Sequence, residues 1–229
     1  MFGKTGNFGW QDACRLALEN PAHPPFFVRK LWSYFIPLSE LDAPTQTTLE
    51  QLYVSSGYQV KPVLRSILFQ PALHTGPRMM KPAIVYNAGL LRMSGRYVDA
   101  VEWSKFADAA GQRLFYPPNV AGWDDERSLD TQTFRARWVL ALQAITKFTL
   151  DSNRPAKTPS KSPDAIIDRA LAYWDNPKLT RDTLAALKEF TTRALADGGA
   201  DPVNQARYAV LAENALRQLI AVSPDFQTC

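Results

Sequence analysis

The stretch Pro24-Pro25-Phe26-Phe27-Val28-Arg29-Lys30-Leu31-Trp32-Ser33-Tyr34-Phe35-Ile36 sets Phe27, Leu31 and Phe35 at i, i+4 and i+8, with Val28 and Trp32 beside them. That spacing lays the apolar side chains along one side of a helix, in a stripe wide enough to be a core face. Prolines suit a first helical turn, whose N–H groups have no intrahelical acceptor, and Pro37 stops the helix. The stretch therefore predicts a helix over 24–36, central to a helical core.

The same punctuation recurs on either side. Proline starts and Gly or Pro stops divide the chain into ten expected helices: 11–19, 24–36, 45–56, 61–69, 82–93, 100–110, 131–150, 163–174, 181–197 and 203–222. Their expected core faces include Leu49, Leu52 and Tyr53; Val63, Leu64, Ile67 and Leu68; and Ile84, Val85, Ala88 and Leu91. Further along they include Phe134, Trp138, Leu142 and Ile145, then Tyr208, Leu211, Ala215 and Leu219. No segment alternates with a two-residue period and no internal repeat is visible. The fold class is all-α: an irregular multi-helix bundle of about ten helices.

Residues 112–130 interrupt the pattern. Pro117, Pro118 and Gly122 cannot continue a helix, yet Leu114, Phe115, Tyr116, Val120 and Trp123 are too apolar for an ordinary connection. The expectation is one long, ordered, non-helical loop held against the body by Leu114, Phe115, Val120 and Trp123, with Gly122 permitting a turn. A polar, Pro-rich stretch at 151–162 reads as a linker, with Ser162 as N-cap and Pro163 opening the next helix. The expected organisation is a main helical body at 1–150, the linker, and a three-helix segment at 163–229 packing on the body.

Composition excludes several function classes. Hydrophobic residues make up 46% of the 229, which supports a packed core. Residues 1–150 hold 16 Lys/Arg against 12 Asp/Glu, and 151–229 hold 10 of each. A surplus so small and diffuse argues against a nucleic-acid partner, which requires a concentrated basic stripe. No apolar run reaches the ~18 residues of a transmembrane segment. Of the two cysteines, Cys14 falls on the side of Leu18 and is expected as a buried thiol, while Cys229 is terminal.

Four blocks carry a family resemblance. They are Phe27-Val28-Arg29-Lys30-Leu31-Trp32 after a Pro-containing turn; Lys81-Pro82 before a helix; Pro117-Pro118-Asn119-Val120-Ala121-Gly122-Trp123; and Ser223-Pro224-Asp225-Phe226-Gln227. In this order they resemble the C-terminal half of the bacterial family called domain of unknown function 1800. Asp124-Asp125-Glu126 departs from the family's Pro-Gly-Gly after the tryptophan. The resemblance implies a longer parent, with Met1 truncated at the N-terminus relative to it, and a protein partner from a sulfatase-like family encoded nearby. A missing half that carried a signal peptide would place the protein in the cell envelope or outside; otherwise it is cytoplasmic. Such a truncation would also leave apolar side chains exposed on the 24–36 helix or its neighbours.

No reaction is legible. His23 and His74, the only histidines, have no Cys or carboxylate at ligand spacing, so no metal or other cofactor is expected. Asp124, Asp125, Glu126 and Asp130 could offer oxygen ligands or an acid–base pair, but read better as a solvated loop tip that also favours the start of the 131–150 helix. No Gly-x-Ser-x-Gly elbow occurs, and Gly3-Lys4-Thr5-Gly6 lacks both the first glycine and the strand of a phosphate loop.

The candidate ligand contacts are Lys30, Trp32, Tyr116, Asn119, Trp123 and Arg135, with Arg127 and Arg137 nearby: aromatics to stack on a ring, cations to hold a carboxylate or sulfate. The competing reading makes Trp32 and Trp123 core anchors, and has Asn119 satisfying loop backbone. Besides a nonfunctional truncated remnant, two functions stand at this stage. One is an interaction or scaffold module working with a neighbour-encoded partner. The other is an enzyme or a carbohydrate- or sulfated-ligand-binding protein using the Pro117–Trp123 loop.

Overall fold

The structure, a computed structural model, describes residues 1–36, 39–123, 129–145 and 162–228. Among them are twelve helices and a single two-residue bridge, Met80 with Thr228. The protein is an all-α, multi-helix fold. The chain divides into two compact units, Met1–Met79 and Met80–Cys229, a boundary that the sequence reading does not draw. The expected linker lies outside the described residues except for Ser162, which occupies the N-cap position.

The first unit holds α1 (Trp10–Leu18), α2 (His23–Phe35), α3 (Ala43–Ser55), α4 (Val60–Leu68) and the short α5 (Pro71–Thr75). The last of these is absent from the expected set, because five residues are too few to show a period. α2 packs on α1, α3 and α4. Its deepest residues are Val28 and Trp32, which meet Ile36, Leu49, Tyr53, Val63 and Ile67; Phe27, Leu31 and Phe35 pack around that core half-buried. Trp32 Nε1 donates to the Ser39 carbonyl at 2.8 Å, so its one polar atom is satisfied. Asp42 starts α3 by accepting from the Thr45 N–H at 2.9 Å, and the same bond holds its carboxyl below the usual range. His23 sits among Phe27, Tyr53 and Tyr58, 3.1 Å from the Tyr53 hydroxyl. Cys14, expected to be buried, is exposed: α1 turns Leu16 inward instead.

The second unit holds α6 (Ala83–Met93), α7 (Glu102–Ala109), α8 (Thr131–Ala144), α9 (Pro163–Tyr173), α10 (Arg181–Ala196), α11 (Pro202–Val222) and α12 (Pro224–Gln227). α11 is its axis, packing on α8, α9, α10 and α12, while α6 and α7 close on α8. Trp174, fully buried, donates from Nε1 to the Arg217 carbonyl at 2.8 Å. Asp130 and Thr133 cap α8 reciprocally: each accepts the other's backbone N–H at 2.8 Å.

Three helices of this unit turn inward a face that only partly matches the expected one: Leu91 and Ile145 are buried, and Phe134 and Leu219 pack half-buried on the core, but the deepest positions are others. On α6 the buried residues are Ala83, Tyr86, Asn87, Leu90 and Leu91, while Val85 is exposed. On α8 they are Arg137, Leu140, Ala141 and Ala144, and Trp138 is 40% exposed. On α11 they include Ala209, Ala212, Glu213, Leu216, Gln218 and Ile220, with Leu211 exposed. In each case a polar side chain that the hydrophobic pattern assigns to solvent is inside. Glu213 can be there because Arg169 Nε (2.9 Å) and Arg217 Nη2 (3.3 Å) both donate to its carboxylate.

Candidate functional site

Two of the four quoted blocks meet in the second unit. The Lys81 N–H donates to the Gln227 carbonyl at 2.7 Å, and Lys81 Nζ donates to the Phe226 carbonyl at 2.8 Å. Both bonds satisfy carbonyls at the end of α12, where no further helical N–H follows. Arg137, fully buried on α8, donates from Nη2 to the Lys81 carbonyl (2.8 Å) and from Nη1 to Gln227 Oε1 (3.0 Å). Its guanidinium also lies 5.2 Å from the Tyr86 ring centroid. Burial holds its basicity below that of a free guanidinium.

Each residue of the closing block has a task. Ser223 Oγ accepts from the Phe226 N–H at 3.3 Å, and Pro224 opens the short helix behind it. Asp225 Oδ2 accepts from the N–H and hydroxyl of Thr180 at 2.7 and 2.9 Å, tying α12 to the start of α10. The Phe226 ring meets Tyr86 and Trp174 edge-on. Gln227 Nε2 donates to the Ala221 carbonyl at 3.1 Å, which also receives the Tyr86 hydroxyl at 2.9 Å. Burial pushes the Tyr86 hydroxyl up to about 12. Lys81 Nζ, Arg137 Nη1 and Nη2, Tyr86 Oη and Gln227 Nε2 all donate to backbone carbonyls or to one amide, so the cluster works as a clasp on the fold.

The loop after α7 differs from its expectation. Gln112 is buried and its Oε1 accepts from the Ile84 N–H at 3.0 Å, which anchors the loop's start. Beyond it Leu114, Phe115, Tyr116 and Val120 are exposed; Phe115 is 87% exposed at a φ of +60°. The expected burial of Leu114, Phe115 and Val120 is thus wrong. Tandem prolines and a turn at Asn119–Gly122 keep the segment out of any helix. Gly122 does supply the turn, with φ +97° and its N–H on the Asn119 carbonyl at 3.2 Å.

The six candidate contacts fall into different settings. Lys30 and Trp32 belong to the first unit, the other four to the second. Trp32 is a core residue, whereas Lys30 is exposed with Nζ 5.9 Å from the Phe26 ring. Tyr116 is exposed, with the Arg113 guanidinium 4.8 Å from its ring. Asn119 Oδ1 accepts from the Ala121 N–H at 2.8 Å, the loop role that the competing reading gave it. Trp123 is half-buried and Arg135 is exposed on α8. Among the described residues no hydrogen bond or ring contact joins any two of the six. Arg127 and the Asp124–Asp125–Glu126 cluster lie outside the described residues.

Among the described residues no three His, Cys, Asp or Glu side chains gather as a metal site, and no helix is long and apolar enough to cross a membrane. Fold and clasp together define a class: an all-α protein whose quoted sequence blocks build its core and one solvent-facing loop. The family pattern of DUF1800, described as a protein of unknown function, matches residues 1–228, and the chain belongs to that family. No curated protein and no solved structure matches it.

Proposed function

We propose that the protein is an interaction module that binds a partner through the 113–123 loop, the partner being the sulfatase-like protein that the family resemblance implies. The carrying observation is the exposure of Leu114, Phe115 and Tyr116, just before the Pro117–Trp123 block, and of Val120 within it. These side chains contribute nothing to the core of the unit, and clustered exposed apolar residues mark contact surfaces. The test is co-expression with a sulfatase-like protein encoded beside this gene, followed by size-exclusion chromatography. Co-elution is expected, and Phe115→Asp with Val120→Asp should abolish it. Separate elution of the wild-type pair, or a double variant that still co-elutes, refutes the reading.

A second reading is favoured by one feature. The exposed Tyr116 ring beside Arg113 is suited to stack on a sugar while the cation holds a sulfate or carboxylate. Titrating a sulfated oligosaccharide against wild type and Tyr116→Ala by calorimetry tests it. Equal heats for the two proteins rule it out.

A further inference from the structure

Opposite its core residues Val28 and Trp32, α2 presents Phe26, Arg29, Lys30, Ser33 and Tyr34 to solvent. At about 100° per residue these five positions fall within an arc of roughly 140°. Phe26 is 62% and Tyr34 73% exposed. Phe26, Arg29, Lys30 and Ser33 line an open depression of about 390 Å³. The face has two aromatic rings, two cations and a hydroxyl, and α2 contains no Asp or Glu.

Among the described residues the cations have no carboxylate within ion-pair distance. On neighbouring α1, Arg15 pairs with Asp12 at 3.0 Å and with Glu19 at 3.4 Å. Among the described residues neither Arg29 nor Lys30 enters an ion pair; Arg29 Nε donates to its own helix, at the Pro25 carbonyl, 3.1 Å. The surface therefore holds positive charge interleaved with aromatic rings.

We propose that this face of α2 docks on an anionic lipid surface, with the helix lying in the plane of the interface. Charge complementarity carries the assignment: lipid phosphates would neutralise Arg29 and Lys30. The Phe26 and Tyr34 rings enter the head-group layer, where amphipathic aromatics and long-stemmed cations are most favourable. Openness decides between this occupant and an acidic segment of another protein. A docked peptide uses a groove that surrounds its apolar side, and the depression here is shallow and one-sided. The inference is independent of the 113–123 loop, which belongs to the other unit.

The test is co-sedimentation of the full chain with vesicles of phosphatidylcholine plus phosphatidylglycerol, and with vesicles of phosphatidylcholine alone. Binding is expected to the anionic vesicles only, weakening as salt is added. Arg29→Ala with Lys30→Ala should lower that binding by about tenfold or more. Phe26→Ala with Tyr34→Ala should lower it as well. The exposed pair Lys178→Ala and Arg181→Ala removes the same charge from the other unit and should leave binding unchanged. Equal sedimentation with both vesicles, sedimentation with neither, or an equal loss in the control pair overturns the proposal. So does binding of poly-glutamate that depends on Arg29 and Lys30 while vesicles stay unbound, which would indicate an acidic protein partner.

Discussion

Arg137 and Gln227 are joined side chain to side chain, Nη1 to Oε1, at 3.0 Å across 90 residues of sequence inside the second unit. Removing the guanidinium strands Gln227 Oε1 and the Lys81 carbonyl and opens a cavity. Arg137→Ala should therefore cost roughly 2–6 kcal/mol, about 1–3 kcal/mol for each of the two stranded acceptors. Arg137→Met keeps most of the volume and should cost less. Urea denaturation of the two variants checks the order, and an Arg137→Ala midpoint equal to wild type would show that the clasp contributes no stability.

Phe226 supplies the apolar part of the same clasp, edge-on to Tyr86 and Trp174. Truncating a buried ring costs roughly 3–5 kcal/mol. Phe226→Ala should lower the melting temperature clearly, whereas Phe226→Leu should recover part of the loss. Thermal unfolding followed by circular dichroism distinguishes these outcomes from no change.

The loop should behave in the opposite way. Phe115 and Val120 touch solvent, so Phe115→Asp and Val120→Asp should each alter stability by no more than about 0.5 kcal/mol. A drop of several kcal/mol in either variant would mean that the loop packs after all.

Tyr86 gives a pH dependence. Its folded-state ionisation is raised by burial to about 12, against about 10 in an unfolded chain. The neutral hydroxyl therefore favours the folded state, fully below pH ~10, and this contribution is lost as pH rises toward about 12. Tyr86→Phe should flatten the alkaline fall in stability between those limits. Denaturant midpoints across that range test it; identical profiles would show that Tyr86 is not responsible.

The helices were legible because Pro and Gly act locally, as does Ser162, which occupies the N-cap position it was expected to hold. Which side of α6, α8 and α11 turns inward was only partly legible. The hydrophobic pattern sends Asn87, Arg137 and Glu213 to solvent, and it cannot show that Gln227 meets Arg137 or that Arg169 meets Glu213 from far along the chain. The loop misled for a related reason. Apolar composition indicates burial only if a face lies within reach, which a run of residues cannot show by itself, and Leu114, Phe115 and Val120 are exposed. The clasp left a signal that went unread, since Lys81-Pro82 and Ser223–Gln227 were both conspicuous words without any visible reason to meet.

The Lys81 Nζ bond to the Phe226 carbonyl closes a loop of 145 residues. During synthesis the first unit has its own core complete once residues 1–79 have left the ribosome. The second cannot seat Phe226 and Gln227, or satisfy Arg137, until residues 224–228 emerge. Throughout that interval its apolar helices wait with their last layer missing. The second unit is therefore most prone to aggregation until residues 224–228 have emerged, and a chaperone would act on it in that interval.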